Sequence, residues 1–291
     1  MRFGGHRLRQ SLPSSSYVDS MTQPVPPFLI DIIKTSRDIW TKGWAEANAG
    51  NISVRLVRET VDVEALSKRP REWTTIDAAV PELAGEYFLV TGSGRYLRNI
   101  ELYPEKNVGI IEIDDAGRAY RMLWGFQPTG GPTSELLTHL MIHAQRKHQS
   151  GGIERAVIHT HSPNVIALTN ILELDTRRLT RLLWQIHAEC VVAFPEGIEF
   201  VPWVQPGSTE LAQVTGEAFA RRRCAVWQFH GIVASGRNLD AAFGLIDTVE
   251  KAAVIYLTAA ASGGIRQMLG PEQLRALAEQ FGVQPDPEML R

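Results

Sequence analysis

Apolar side chains recur along this chain in two rhythms. Ile30, Ile33, Ile39, Trp40 and Trp44 fall at helical spacing, which predicts a first helix over 28–44. Alternating or short β-branched runs predict strands over 52–56, 87–90, 156–161, 189–194, 199–203 and 225–231. The runs 108–113 and 119–124 flank Asp114-Asp115-Ala116-Gly117 and predict a hairpin. Thr133 or Ser134 caps a helix with apolar positions Leu136, Leu137, Leu140 and Met141, and places Glu135 in its first turn. Ser162-Pro163 predicts a helix over 162–172, followed by a piece over 179–186. The stretch 206–210 caps another helix, which ends in Arg221-Arg222-Arg223, a run suited to the negative end of a helix dipole. A long helix over 240–261, closed by Gly263-Gly264, and a last one over 271–281 complete the chain.

Residues 28–291 contain no linker and no internal repeat, and so predict one α/β domain. The segment 1–27 differs. It holds three arginines, the run Ser14 to Ser16 and a proline-rich end, with no hydrophobic h-region, and is expected to be a poorly ordered leader rather than a secretory signal. Residues 57–85, with mixed charge and Pro70 and Pro81, are expected to be a surface excursion.

Of the 291 residues, 44% are apolar, enough for a substantial core, and the net charge of −2 gives no electrostatic case for nucleic acid or a membrane surface. No apolar run approaches the roughly 18 residues that span a bilayer. The two cysteines, Cys190 and Cys224, have neither metal-ligand spacing nor the makings of a disulfide framework, so a reducing cytoplasm is the expected compartment.

The candidate chemistry centres on His159-Thr160-His161. Two residues apart on a strand, the histidines share a face with Cα atoms roughly 6.5–7 Å apart, within reach of one metal ion. The competing reading is two rings satisfied separately by backbone or water. Glu135 suits either dipole complementation or a general base at the mouth of a site. His139 and His143 are four apart on a helix, but no third ligand accompanies them, so they are expected at the surface or in packing. Asn48, Gly50 and Asn51 form a loop that suits an anion, but an ordinary helix-to-strand turn favours the same residues and is the better reading of them alone; Thr91-Gly92-Ser93-Gly94 can cradle a phosphate but lacks the full spacing of a nucleotide fingerprint. His230 stands at a strand end, before Gly231.

In this order, Ala49-Gly50-Asn51, Thr91-Gly92-Ser93-Gly94, Thr133-Ser134-Glu135, His159-Thr160-His161 and His230-Gly231 resemble the zinc-dependent class II sugar-phosphate aldolases, a superfamily that includes fuculose-phosphate aldolases and ribulose-phosphate epimerases. Lys42-Gly43-Trp44, Glu189-Cys190, the stretch 243–248 and Glu250-Lys251 narrow the likeness to the branch acting on L-rhamnulose 1-phosphate. The fuculose type uses a tyrosine near the C-terminus, and 279–291 has none. The resemblance implies a central, mainly antiparallel sheet flanked by helices, in a homotetramer. It implies one Zn2+ per subunit on His159, His161 and His230. It implies Glu135 as the acid/base residue, with Glu189 assisting the aldehyde half across a subunit boundary. Asn48, Asn51, Thr91, Gly92, Ser93, Thr133 and Ser134 would bind the phosphate and dihydroxyacetone end of a sugar phosphate. Retro-aldol cleavage is the implied reaction. The alternatives on the same fold are another ketose-1-phosphate aldolase, a pentulose-phosphate epimerase or a non-catalytic adducin-like binding module.

Overall fold

A computed structural model describes residues 27–60, 62, 66 and 71–290. The expected leader lies outside these, except for Pro27, as does part of the 57–85 excursion. The chain runs α1 (Pro27–Thr41), β1 (Asn51–Arg55), β2 (Thr74–Thr75), β3 (Tyr87–Thr91), α2 (Pro104–Asn107), β4 (Val108–Ile113), β5 (Ala119–Gly125), α3 (Leu136–Gln149) and β6 (Ala156–Thr160). It continues α4 (Pro163–Ile171), α5 (Thr176–Ile186), α6 (Glu189–Ala193), β7 (Glu199–Val201), α7 (Thr209–Phe219), β8 (Cys224–Trp227), β9 (Gly231–Gly236), α8 (Leu239–Ala261) and α9 (Pro271–Phe281).

The strands form one nine-stranded sheet in the order β2-β5-β4-β3-β1-β6-β9-β8-β7, antiparallel throughout except for the edge pair β7–β8. Strand β6 lies near its middle, between β1 and β9. Both faces are covered, so β3, β6, β8 and β9 are buried at every position and read as continuous apolar runs rather than alternations. Ile52, Ile158 and Ile232 point to the face packed by α1, α4, α5, α6 and α8. Val157, Val233 and Trp227 point to the opposite face, where α3 and α7 close the core with Ile142 and Phe219. Each such fully buried aliphatic side chain contributes roughly 1.5–3 kcal/mol.

Several expectations change. Residues 189–194 were expected as a strand but Glu189–Ala193 is a helix. Five apolar residues carry no decisive period, and helical spacing is what sends Cys190, Val191 and Phe194 into the core together. The strand expected over 225–231 is the first arm of a hairpin. It stops at Trp227, turns through Gln228, Phe229 and His230, and returns as β9. Phe229 occupies the left-handed position (φ 62°), where Asn or Gly is the usual marker, which hides the turn from the sequence. Gly231 is required because β9 passes so close to β6 that a Cβ there would lie 2.2 Å from the Thr160 carbonyl oxygen. The first helix stops at Thr41, not residue 44, because Gly43 turns left-handed (φ 75°). Arg222 and Arg223 do not serve the α7 dipole. Arg222 pairs with Glu199 at 2.7 Å, and Arg223 pairs with Glu196 at 2.6 Å.

Candidate active site

Four loops and the end of β6 meet at one end of the sheet's central strands. His159, the fourth residue of β6, is buried, and its Nδ1 lies 3.0 Å from the Ile232 carbonyl on β9. That carbonyl only accepts, so Nδ1 carries the proton and Nε2 presents its lone pair. Nε2 is buried and has no hydrogen-bond partner. His161 follows the strand. Its backbone N–H donates to the Trp44 carbonyl at 2.9 Å, and its Nδ1–H donates to Glu46 Oε1 at 2.7 Å. Its Nε2 is thereby left with its lone pair. His230 sits in the β8–β9 turn, its ring stacked on Trp227 with centroids 5.1 Å apart, and its buried Nδ1 has no partner.

One ligand nitrogen from each ring lies within 4.8 Å of the others. A tetrahedral ion with Zn–N bonds of about 2.0–2.1 Å spaces its ligands roughly 3.4 Å apart, so modest ring rotations close the set on one ion. Burial, then the neighbouring His161, holds His159 well below the usual imidazole range. Burial first, then His159, pushes His230 down to about 3. Both rings are therefore neutral, the form that ligates. The partnerless buried Nε2 of His159, the neutral rings of His159 and His230, and the carbonyl and carboxylate partners on Nδ1 of His159 and His161 fit a divalent metal.

Glu135 stands over this cluster. It is the N-cap of α3 rather than a first-turn residue, with φ −96° and ψ 18°. Its side chain makes no capping bond, so the carboxylate is free to face the cleft. Oε2 accepts from Asn51 Nδ2 at 2.9 Å and lies 3.7 Å from His159 Nε2, while Oε1 lies 3.7 Å from His230 Nε2. Thr133 and Thr91 set the loop. Thr133 Oγ1 accepts from the Glu135 N–H at 3.3 Å, and the Thr91 carbonyl accepts from the Thr133 N–H at 2.9 Å. The Asn48–Asn51 loop reaches the site through left-handed Ala47 and Gly50; a Cβ on Gly50 would press the His159 carbonyl at 3.2 Å.

Asn48, Asn51, Gly92, Ser93, Thr133, Ser134, Glu135 and the three histidines line one cleft of about 150 Å³. Two expected residues lie outside it. The Thr91 hydroxyl is spent on β1, accepting from the Ile52 N–H at 3.1 Å. Glu189 is exposed at the start of α6 and is not part of this chain's cleft. A cleft of about 460 Å³ around Glu154, Arg223 and Arg237 is larger but gathers no converging ring nitrogens, so volume is a poor guide here. Sequence reading missed Glu46, the partner of His161, and the bond of His139 to Asn51. Of the two places expected for His139 and His143, surface or packing, the second holds, since both are buried.

Residues 30–257 match the family described as Class II Aldolase and Adducin N-terminal domain. The rhamnulose-1-phosphate aldolase of Mannheimia succiniciproducens is 42% identical, over 89% of this chain and 95% of its own length. That of Pectobacterium atrosepticum is 41% identical, over 91% of this chain and 97% of its own length. A sugar-phosphate aldolase structure from Thermotoga maritima superposes with a TM-score of 0.71 at 32% identity, covering 82% of this chain and 97% of that one.

Proposed function

This chain belongs to the class II aldolase and adducin N-terminal domain family, and from that premise we propose that it cleaves L-rhamnulose 1-phosphate reversibly to dihydroxyacetone phosphate and L-lactaldehyde. The observation that carries the reading is the Glu135 carboxylate, 3.7 Å from two rings of a three-histidine cluster, in a cleft walled by Asn, Ser, Thr and Gly. His159, His161 and His230 would hold one Zn2+ per subunit, and a bound ion supplies the Lewis acid for the charge that develops as the C3–C4 bond breaks. Glu135 returns a proton to C3 in the cleavage direction and removes it in the condensation direction. Asn51 fixes Oε2 and leaves Oε1 turned into the cleft. The neutral side chains of Asn48, Ser93 and Ser134 receive the phosphate, the Gly92 and Ser93 N–H groups being spent on the Asn107 and Gly131 carbonyls, which accounts for a phosphate site without a basic cluster.

At about 150 Å³ the cleft is smaller than the roughly 300 Å³ or more of a typical small-molecule pocket, which supports completion of the site by a second subunit. In a homotetramer, Glu189 from a neighbour assists the aldehyde half. The cytoplasm is the fitting compartment for such a catabolic enzyme, and among the described residues no helix is long and apolar enough to cross a membrane. The test is a panel of ketose 1-phosphates with aldehyde detection, run beside metal analysis. L-rhamnulose 1-phosphate should have the highest kcat/KM, with one metal per chain; preference for another sugar phosphate overturns the substrate assignment.

A further inference from the structure

Directly beneath Glu135, α3 packs on β1 through side chains that would be anomalous in an apolar interface. Asn51 and Ser53 are two apart on β1 and share one face; His139 and His143 are four apart on α3 and share another. These two pairs meet. His139 Nε2 bonds Asn51 Oδ1, His139 Nδ1 lies 2.7 Å from Ser53 Oγ, and Ser53 Oγ lies 2.8 Å from His143 Nε2. With the 2.9 Å bond from Asn51 to Glu135, five buried polar side chains form one unbroken line.

The line has a direction, which follows from the carboxylate. An ionised Glu135 only accepts, so the Asn51 amide nitrogen faces it and the amide oxygen faces His139. His139 must then carry its proton on Nε2 and leave Nδ1 bare. Ser53 donates to that bare nitrogen and accepts in turn from the Nε2–H of His143. Turning the Asn51 amide over would set two acceptors against each other at 2.9 Å. Both rings are neutral, as this assignment requires, because burial pushes His139 down to about 4 and His143 well below the usual range.

We propose that His139 is a positioning residue for Glu135: it fixes the orientation of the Asn51 amide, with Ser53 and His143 fixing its tautomer, and so holds carboxylate oxygen Oε2 in place over the cleft. This rests on the aldolase reading for its chemical consequence. An Asn amide can flip about a broad terminal torsion, and a flipped amide would break the 2.9 Å bond that holds Oε2 and leave the carboxylate free to swing. A base free to swing is no longer aimed at the substrate carbon. Packing alone would put Leu or Phe at 139 and 143, since each buried imidazole costs desolvation that only a complete set of hydrogen bonds offsets.

The test compares His139→Leu and His139→Gln in the full-length, zinc-loaded protein. Gln offers an amide N–H to Asn51 and an oxygen to Ser53, and so rebuilds the line. His139→Leu should keep one zinc per chain and a KM within about 3-fold, while kcat and solvent exchange of the C3 proton of dihydroxyacetone phosphate fall together by about 10- to 100-fold. His139→Gln should recover most of that loss. Unchanged proton exchange in the Leu variant, or equal losses in both variants, overturns the proposal. Nitrogen-15 NMR of the parent gives a readout that needs no turnover and no Leu variant. His139 should show an Nε2–H and a bare Nδ1, and an Nδ1–H tautomer overturns the proposal. A parent protein inactive on every sugar phosphate, yet with the expected tautomer, overturns the functional reading and upholds the positioning of the carboxylate.

Discussion

Five histidines lie at or under the middle of the sheet, in two groups that invert what their spacing suggests. His139 and His143 are four apart on a helix, a common separation for a metal-binding pair, yet their ring nitrogens are spent on Asn51 and Ser53. His159, His161 and His230 come from a strand end and a distant turn, yet their ligand nitrogens converge within 4.8 Å, and the buried Nε2 of His159 faces no partner. Separation along the chain says which rings can share a neighbour. The unspent nitrogen says which ring is waiting for a ligand. Desolvating a nitrogen without a partner costs about 1–3 kcal/mol, a cost that a divalent ion bound there would offset.

That contrast can be broken in order of expected effect. His159→Ala should take bound metal and aldol cleavage to background together, read by elemental analysis and aldehyde release; metal retained at one per chain would remove His159 from the ligand set. Glu135→Gln should keep the metal and lower kcat by roughly 10²- to 10³-fold, because only the proton transfer is lost. Ser53→Val acts on the other group. It strands the hydrogen-bonding nitrogens of two buried rings and should lower unfolding free energy by about 1–3 kcal/mol in a denaturant titration, with metal binding intact.

The smallest effect is one of pH. His139 has a depressed folded pKa of about 4, so the unfolded chain binds the extra proton first. The stability contributed by this neutral ring is therefore fully present above about pH 6.5 and is lost as pH falls toward 4, by up to about 1.4 kcal/mol per pH unit. Against His139→Leu, denaturant midpoints taken between pH 6.5 and 4 should converge as the pH drops; parallel curves would mean that His139 is not buried neutral.

Sequence legibility followed the same division. His159 and His161 were readable because a strand repeats every two residues, so a shared face is arithmetic. His230 was readable only by resemblance, since Phe229 concealed the turn that carries it. The hairpin of β4 and β5 announced itself through Asp114 to Gly117, whereas 189–194 did not, because five apolar residues fit either period. Glu46 went unnoticed in a loop dominated by Ala, Gly and Asn. Its role depends on His161 folding back to it across 115 positions, a distance no local pattern encodes. The buried line under Glu135 was out of reach for the same reason. Ser53 becomes significant only when β1 and α3 face each other.

The short passage between α1 and β1 holds His161 twice, through the Trp44 carbonyl and the Glu46 carboxylate. Trp44 is itself braced by Phe243 of α8 and by the ammonium of Lys42, which pairs with Asp247. The aim of His161, a candidate metal ligand, is thus set by the seating of α1 against α8. Engineering at that junction, such as a tag fused close to Pro27 or a shortened α1, would register first as a weaker grip on the ion and only afterwards as loss of the fold.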